Sequence, residues 1–424
     1  MTTRLGGTLE GVLRGNDVAG HHTVPAAALY PHQWNWDSPL TALGWATFDR
    51  DRAWCELESL LAAQDPGDGL VAHIAFDEAA TSYNPGPEWW SGRRGADGRC
   101  ISDITQPPLA ATVIRILISA GDDAERARPL LEPLQRWHEF LIDLRGGGGE
   151  PVLIHPWESG RDNGVEWDAP LQAVTPSTRV PVRRDHAFVE AVQRPPARDY
   201  ARYYGLIETY AHSGWDARRM AAESPFRVLD PAFSALSAAA AADLAAVAQQ
   251  LGADGIAARA SVHAASVESA LRARANVDGM ASAHDLVAGT DAIGITAALP
   301  LQLLRPELPV AAVDRLQQLI LGGELASEYG VRSAATSAPG FDPRNYWRGP
   351  VWSNVTWLCA LGLERHGRGA AAAELRSRVI RHAAVPGCRE YVHPDTGEGL
   401  GASGLSWTAA LALDAMARLA GVGD

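Results

Sequence analysis

The sequence predicts an all-α protein, in the form of an (α/α)6 barrel whose long loops make a funnel at one end. Helical periodicity dominates the chain, and the alternation that is typical of strands is scarce. The sequence has no repeat of fixed period, which argues against a solenoid. Short links between helices alternate with long segments at residues 70–102, 150–198, 326–346 and 385–406. Long loops inside a compact domain are usually functional, so we expect these to surround a site.

The predicted helices follow from apolar periodicity and from residues that start or stop a helix. Asp230 is placed to cap a helix with Pro231 in its first turn, and Asp199 and Ser406 are placed to cap two others. The glycine run at 146–149 ends the helix before it. The predicted helices span residues 38–48, 50–63, 108–120, 124–145, 199–212, 230–251, 256–275, 310–322, 349–366, 370–382 and 406–420.

We expect residues 1–424 to form a single catalytic domain, because no shift in composition divides the chain. Length alone suggests two or three domains, but large barrels fold as one unit at this length. Residues 152–198 are rich in Pro, Arg and Asp and have little periodicity. We interpret them as a loop-rich insertion that covers the mouth of the funnel, with a disordered linker as the alternative.

Composition and charge exclude several classes of function. The net charge is -13, and all 37 basic residues are arginine. An acidic surface without a basic run argues against nucleic acid and anionic membranes as partners. The apolar stretch at residues 235–248 carries Asp243, and we interpret it as too short and too weakly apolar to span a bilayer.

The remaining composition predicts a soluble cytoplasmic protein. The N-terminal segment lacks the apolar core of a signal peptide. The 4 cysteines lie far apart in the sequence, which indicates reduced thiols rather than a disulfide framework. No zinc-binding His pair, acidic calcium loop or nucleotide motif is present, so we expect neither a metal nor another cofactor. The expected partner is a small molecule, and a homo-oligomer is left open.

The 14 tryptophans give the first indication of a binding site, because several share short motifs with carboxylates. An indole covers the apolar face of a sugar ring, while carboxylate, amide and guanidinium groups hold its hydroxyls. The alternative is burial in the core, which a helical context favours for Trp45, Trp54, Trp137 and Trp357. The motifs that suggest a carbohydrate site are Trp34-Asn35-Trp36-Asp37, the segments 155–163 and 346–352, and Glu390-Tyr391 with Trp407 downstream.

Acidic residues in two of the long loops are the candidates for catalysis. Asp162 lies between Gly160 and Gly164, in a turn that can present a carboxylate to a cleft, although such an Asp is as often a turn or cap residue. Glu390 and Glu398 compete for a second role, and either is otherwise a solvated surface residue. A glycosidase needs two carboxyl groups that flank the scissile bond. Asp162 and one glutamate meet this need if both loops face one funnel.

Taken together, the motifs resemble those of glycoside hydrolase family 63, and in particular those of its bacterial glucosylglycerate and mannosylglycerate hydrolases. The similar segments occur in the family's order over nearly the whole chain. The (α/α)6 barrel of that family agrees with the fold predicted above. The similar segments are residues 13–17, 29–37, 105–108, 157–163, 346–352, 390–400 and 406–410.

The resemblance implies an inverting hydrolysis of an α-glycosidic bond, with Asp162 as general acid and Glu390, rather than Glu398, as general base. Inversion leaves room for a water, so we expect the carboxyl groups to lie about 6.5–9.5 Å apart. The acid must hold its proton at the working pH. We therefore expect a raised pKa for Asp162, through burial or through a nearby carboxylate such as Glu158, with Arg161 pointing away.

The resemblance also implies which residues bind substrate. Glycerate carries a carboxylate, for which Arg194 offers a bidentate fork. The chain departs from the family at Leu405, where glycerate-specific enzymes carry a glutamine, and at Arg161 and Gly164 beside the acid. The residues implied for the sugar are Tyr30, Trp34, Trp36, Asp37, Gln106, Trp347 and Trp352, and those implied for glycerate are Tyr83, Arg194, Tyr200 and Tyr346.

The predicted function is thus an inverting α-glycoside hydrolase for a small glycoside, with glucosylglycerate or mannosylglycerate as the first expectation. Because a leucine cannot hydrogen-bond a carboxylate, Leu405 keeps a different short α-glucoside or α-mannoside open. A sugar isomerase or epimerase on the same barrel is a further alternative, although that chemistry depends on His acid–base pairs. A non-catalytic sugar-binding protein is the last, and it requires the loss of a catalytic carboxylate.

Overall fold

The computed structural model describes residues 2–80 and 83–421 and shows a helix-rich protein, as the sequence predicts. Shorter 3-10 helices and a π-helical turn lie between the α-helices, at residues 87–89, 124–130, 156–159, 165–167, 185–187, 191–193 and 302–304 and at 140–144. The α-helices are α1 (Thr2–Gly15), α2 (Asp37–Trp45), α3 (Arg50–Ala62), α4 (Ala110–Ser119), α5 (Leu131–Glu139), α6 (Asp168–Gln172), α7 (Ala197–His212), α8 (Ala217–Glu223), α9 (Pro231–Gln250), α10 (Asp254–Ala273), α11 (Ala298–Leu301), α12 (Val310–Leu321), α13 (Ser353–Arg365), α14 (Gly369–Ala383) and α15 (Ser406–Gly421).

Short antiparallel strands connect the segments between the helices. They form the pairs β1–β2, β3–β4, β5–β6 and β10–β11 and the three-stranded sheets β7–β8–β9 and β12–β13–β14. In the last sheet Trp352 pairs with Tyr391, which joins two distant loops. The strands are β1 (Asp17–Val18), β2 (His22–Thr23), β3 (Gln33–Trp34), β4 (Ile74–Ala75), β5 (Gly146–Gly147), β6 (Glu150–Pro151), β7 (Val228–Leu229), β8 (His284–Asp285), β9 (Thr290–Asp291), β10 (Ala326–Ser327), β11 (Gly330–Val331), β12 (Val351–Trp352), β13 (Tyr391–Val392) and β14 (Gly399–Leu400).

The helices pack largely in pairs that follow one another along the chain. Helix α2 packs against α3, α9 against α10, and α13 against α14. Helix α15 packs against both α14 and α2, so the last helix contacts the N-terminal part of the chain. A Cβ added to Gly44 in α2 would lie 2.3 Å from the Cα of Ala410 in α15. Glycine at position 44 therefore lets these two helix backbones approach each other.

Helix α9 corrects one expectation. The sequence analysis judged residues 235–248 too short and too weakly apolar for a membrane span. The whole helix runs 20 residues with a window of mean hydropathy 1.4, which is long and apolar enough, so that judgement was wrong for the helix as a whole. In the structure 83% of this window is buried, and the helix packs against α4 and α10. Such burial is typical of a core helix.

The predicted helix at 124–145 is three elements in the structure. Residues 124–130 form a 3-10 helix that contains Pro129, α5 follows it, and residues 140–144 form the π-helical turn. Proline has no backbone N–H for an α-helical hydrogen bond, so the regular helix begins only after Pro129. The prediction of one continuous helix was therefore wrong.

Two predicted caps have opposite outcomes. Asp230 caps α9, because its carboxylate accepts hydrogen bonds from the amides of Ala232 and Phe233. Asp199 does not cap α7, which begins at Ala197 behind Pro196, and it lies instead in the first turn of that helix. An acidic residue in a first turn still faces the positive end of the helix dipole.

Helices α1, α6, α8 and α11 were not predicted. Glycines at positions 6, 7 and 11 weaken the helical propensity of α1, yet Leu9 and Leu13 are fully buried in the core. Tertiary packing therefore stabilises a helix that local propensity disfavours.

Candidate active site

The four long segments between helices meet around one cavity of about 500 Å³. Each contributes side chains to its wall, together with residues from 25–37 and from 347–352. Every residue that the sequence analysis assigned to catalysis or to binding lines this cavity. These residues are Tyr30, Trp34, Trp36, Asp37, Tyr83, Gln106, Asp162, Arg194, Tyr200, Tyr346, Trp347, Trp352 and Glu390.

Asp162 lies in a turn that its neighbours hold in place. Gly160 has a φ of +67°, a backbone conformation that favours glycine. A Cβ at this position would also lie 2.4 Å from the ring of Trp36, so there is no room for a side chain. The hydroxyl of Tyr203 donates a hydrogen bond of 2.8 Å to the carbonyl of Asp162. The side chain of Asn163 accepts a bond of 2.9 Å from the amide of Trp347. These contacts fix where the carboxyl of Asp162 enters the cavity.

The surroundings of the Asp162 carboxyl raise its pKa and so favour its protonated form. Burial raises its pKa to about 7. The positive charge of Arg194 opposes this rise in pKa, and the negative charge of Glu390 adds to it. Among the described residues, no other side chain donates a hydrogen bond to this carboxyl. Arg161 points away from the carboxyl, into a buried ion pair of 2.9 Å with Asp230.

The expected rise in the pKa of Asp162 comes first from burial, and the nearby carboxylate that adds to it is Glu390 rather than Glu158. Glu158 forms a buried ion pair of 2.8 Å with Arg145 and accepts a hydrogen bond of 2.8 Å from the amide of Ile154. Arg145 balances its charge, and the like charge that raises the pKa of Asp162 is that of Glu390. Glu158 instead fixes the base of the loop that carries Asp162.

Glu390 lies immediately before strand β13 and receives several hydrogen bonds. The hydroxyl of Tyr30 donates to Oε1 at 2.8 Å, and the amide of Ala402 donates to Oε2 at 2.8 Å. The two terminal nitrogens of Arg194 lie 3.4 Å from Oε1 and 3.3 Å from Oε2. Donors on both oxygens fit a carboxylate, which accepts hydrogen bonds but does not donate them.

Glu398, which the sequence left as a rival of Glu390, lies elsewhere. Its carboxylate pairs with Arg344, and its side chain is 46% exposed. It does not line the cavity that Asp162 and Glu390 share. The geometry therefore favours Glu390 as the partner of Asp162.

Indole and phenol rings make up much of the wall. Trp347 and Trp352 stack with their centroids 3.9 Å apart and their planes 5° apart. Trp36 and Trp407 meet edge to face, with centroids 5.5 Å apart. Flat apolar rings of this kind can cover the C–H face of a sugar, while neighbouring carboxylates bind its hydroxyls.

Asp37 is a third carboxyl group on the wall, in the first turn of α2. Burial raises its pKa well above the usual value, and the charge of Glu390 adds to the effect. Gln106 lines the same cavity, with its Oε1 3.5 Å from the amide of Trp36. Asp37 and Gln106 thus place polar groups beside the indole rings.

Phenols and arginines also line the cavity. Tyr83 meets Trp34 edge to face at 5.2 Å, and the guanidinium of Arg183 lies 3.4 Å above the ring of Tyr200. Arg194 lies 4.8 Å above the ring of Tyr346. The fork of Arg194 faces Glu390, and its Nε lies 3.9 Å from a carboxylate oxygen of Asp185.

Sequence reasoning did not assign several residues that line the cavity, among them Asp185, Arg183 and Tyr204. Asp185 and Arg183 lie in the loop-rich insertion, where no periodicity predicts which side chains turn inward. A charged pair two residues apart was their only signal. Trp157 and Trp407 also line the cavity, and both belong to motifs that the sequence analysis had singled out.

Within the described residues 2–80 and 83–421, no cluster of His, Cys, Asp and Glu has the arrangement of a metal site.

The fold and the paired carboxyl groups in a tryptophan-lined cavity define a glycoside hydrolase. Residues 30–408 match the mannosylglycerate hydrolase MGH1-like glycoside hydrolase domain. The chain belongs to that family, which confirms the resemblance to glycoside hydrolase family 63.

Characterised relatives cover nearly the full length of the chain. A mannosylglycerate hydrolase from Thermus thermophilus is 40% identical over 93% of this chain and 96% of its own length. A glucosylglycerate hydrolase from Mycolicibacterium hassiacum is 35% identical over 97% of both chains. The crystal structure of a family 63 mannosylglycerate hydrolase from Thermus thermophilus with Tris and D-glycerate has a TM-score of 0.88. It is 38% identical and covers 97% of this chain and 99% of that chain.

Proposed function

We propose that this glycoside hydrolase cleaves the α-glycosidic bond of mannosylglycerate or glucosylglycerate with inversion, releasing the free sugar and glycerate. Relatives named for both activities align with almost the whole chain. The observation that carries the proposal is the pairing in one cavity of Asp162, whose pKa is raised to about 7, with Glu390, which accepts four hydrogen bonds.

Asp162 is the proposed general acid. A carboxyl group with a pKa of about 7 holds its proton over much of the neutral range. It donates that proton to the glycosidic oxygen as the bond from this oxygen to the anomeric carbon breaks. The leaving glycerate hydroxyl thus departs neutral, which lowers the barrier for a poor leaving group.

Glu390 is the proposed general base. It takes a proton from a water molecule, whose oxygen forms the new bond to the anomeric carbon from the opposite face. This requires the two carboxyl groups to stand about 6.5–9.5 Å apart, with the sugar and the water between them. The balance is one water consumed for one glycosidic bond, and the product sugar has the β configuration.

The remaining residues of the wall divide between sugar and glycerate in the proposal. Tyr30, Asp37 and Gln106 would bind the sugar hydroxyls, and the rings of Trp34, Trp36, Trp347 and Trp352 would cover its faces. Tyr83, Arg194, Tyr200 and Tyr346 would bind glycerate, whose carboxylate suits an arginine fork. A cavity of about 500 Å³ is of a size that suits a small glycoside.

We further propose that residues 1–424 form one domain with (α/α)6-barrel architecture and that residues 152–198 are an insertion over its mouth. Support comes from the sequential helix pairs and from the contact of α15 with α2. The free state of Cys55, Cys100, Cys359 and Cys388 supports a reducing, cytoplasmic location.

The experiment that tests the function follows hydrolysis by ¹H NMR from time zero. Inversion predicts that the β-anomer of the sugar appears first and then mutarotates, whereas an initial α-anomer contradicts it. A panel of α-glucosides and α-mannosides, each with glycerate or glycerol as aglycone, tests the substrate. Leu405 is buried and lines the cavity, and its side chain cannot hydrogen-bond a carboxylate. Equal kcat/KM on both aglycones would therefore favour the alternative of another short α-glycoside.

A further inference from the structure

We infer that Arg194 restrains the general base until a carboxylate-bearing aglycone draws it away, so that the substrate's own carboxylate switches Glu390 on. This inference rests on the proposed function, and it explains a contact that the proposed function does not use. Arg194 is assigned there to glycerate, yet in the structure its fork lies on Glu390 at 3.3 and 3.4 Å.

The hydrogen bonds on Glu390 leave no place for a water. An ionised carboxylate has about four lone-pair positions on its two oxygens. Tyr30 and Arg194 occupy those of Oε1, while Ala402 and Arg194 occupy those of Oε2. A general base must accept a hydrogen bond from the water that it deprotonates. One of these donors therefore has to leave before Glu390 can act.

The bonds from Arg194 are the ones that can yield. They measure 3.3 and 3.4 Å, whereas those from Tyr30 and Ala402 both measure 2.8 Å. The amide of Ala402 belongs to the backbone and cannot turn away. A guanidinium on a flexible side chain can turn, and a second carboxylate beside it competes for the same fork.

The surroundings of Arg194 also prepare it for a second carboxylate. The side chain is 3% exposed, and its Nε has no hydrogen-bond partner among the described residues. The oxygen of Asp185 lies 3.9 Å from this Nε, beyond hydrogen-bond distance, and Asp185 is itself held by Arg183. A buried N–H without an acceptor costs free energy that an incoming carboxylate recovers.

Binding and catalysis are thereby coupled. When the aglycone carboxylate takes the fork of Arg194, Glu390 loses two donors and a neighbouring positive charge. It gains lone pairs that can accept a hydrogen bond from the water. A glycoside without that carboxylate still binds through its sugar but leaves Glu390 occupied. Selectivity for the acidic aglycone then appears in kcat as well as in KM.

The test compares two α-glycosides of the same sugar, one of glycerate and one of glycerol, which has CH2OH in place of the carboxylate. In the wild-type enzyme we expect the kcat for the glycerate compound to be about tenfold higher or more. In Arg194→Met we expect the two kcat values to differ by about twofold or less. The guanidinium that would occupy Glu390 with the glycerol compound is then absent for both substrates. A wild-type difference confined to KM, or one in kcat that persists in Arg194→Met, overturns the inference.

The matched control is Arg368→Met, which removes an arginine from an exposed ion pair with Asp314 away from the cavity. It should keep the wild-type difference in kcat. Failure of the proposed function is distinguishable, because the wild-type enzyme would then hydrolyse neither compound with inversion. Failure of this inference alone leaves both compounds hydrolysed, with kcat values that are equal in the wild type or that differ to the same extent in Arg194→Met.

A second measurement needs no variant and decides the matter if Arg194→Met does not fold. The wild-type enzyme is given the α-glycosyl fluoride of the same sugar, which has no aglycone carboxylate. Added glycerate should raise its kcat about fivefold by engaging Arg194, and added glycerol should not. An unchanged or lowered rate with glycerate overturns the inference.

Discussion

Asp162 and Glu390 are both buried carboxyl groups of one cavity, yet their surroundings differ in kind. The backbone of Asp162 is held by Tyr203, while its carboxyl receives no hydrogen bond from another side chain among the described residues. The carboxyl of Glu390 receives donors on both oxygens. Burial without side-chain donors favours the protonated form, and several donors suit the ionised form. In the proposed mechanism, the two loops thus make an acid and a base from the same functional group.

The largest expected effect comes from removing either group. Asp162→Asn and Glu390→Gln should each lower kcat on the natural type of substrate by about 10²–10⁴-fold, because each removes one proton transfer. An α-glycosyl fluoride breaks this symmetry, since departing fluoride needs no proton. On the fluoride, Asp162→Asn should recover most of the wild-type rate, and Glu390→Gln should not. Steady-state rates on both substrates measure this.

Glu398→Gln is the matched control, because it changes a nearby glutamate of the same loop that is exposed and paired with Arg344. It should hydrolyse both substrates at the wild-type rate. If Glu398→Gln is inactive and Glu390→Gln is active, the general base has been assigned to the wrong residue.

The pH dependence sharpens the same contrast. Asp162 must be protonated to act, and its pKa is raised to about 7. The value of kcat/KM should therefore fall above pH 7 by about tenfold per pH unit, since this parameter reports groups of the free enzyme. With the fluoride as substrate this alkaline fall should disappear, because the proton of Asp162 is no longer used. If kcat/KM falls equally above pH 7 for both substrates, the fall is not due to the proton of Asp162.

How far the sequence predicts this site depends on the kind of contact. Trp36 and Trp352 were found because their motifs place indole next to polar groups in long loops. Asp162 and Glu390 were named as a pair only through resemblance, since local sequence alone left Glu398 as a rival. The structure adds a reason to prefer Glu390, which lines the cavity, whereas Glu398 does not.

For the fold too, local patterns could be predicted from the sequence and contacts between distant residues could not. Helices such as α9 and α13 were predicted because their apolar residues are continuous or periodic, with errors of a few residues at their ends. The contact between Arg194 and Glu390 joins residues 196 positions apart, and no periodicity encodes it. The ion pair of Glu158 with Arg145 was not predicted for the same reason, because only folding brings these two residues together.

Stability gives the next prediction, with opposite signs for the two carboxyl groups. The pKa of Asp162 in the folded state, about 7, lies above the usual 3.8, so the folded protein binds this proton more tightly. The resulting stabilisation is complete below pH 3.8 and is lost as the pH rises through 7. Asp162→Asn should therefore raise Tm relative to the wild type by about 2 °C or more at pH 8, and by less at pH 5.

Glu390→Gln should instead lower Tm at both pH values. It leaves the buried guanidinium of Arg194 without its carboxylate, and breaking a buried pair costs about 3–5 kcal/mol. Glu398→Gln again serves as control, since an exposed pair contributes about 0–1 kcal/mol. Thermal denaturation followed by circular dichroism measures all three variants. A stabilising Glu390→Gln would mean that the ion pair with Arg194 does not form in solution.

The smallest expected effect concerns Leu405, which is 1% exposed and lines the cavity. An amide side chain at this position can hydrogen-bond a glycerate oxygen, and such a bond contributes about 0.5–1.5 kcal/mol. Leu405→Gln should therefore lower KM for the glycerate glycoside by about 2–10-fold and change KM for the glycerol glycoside less. Leu405→Met has a similar volume and no hydrogen-bonding group, so it should leave both KM values within about twofold. A rise in KM for both glycosides in Leu405→Gln would mean that the leucine packs against an apolar part of the true aglycone, and glycerate would then be the wrong substrate.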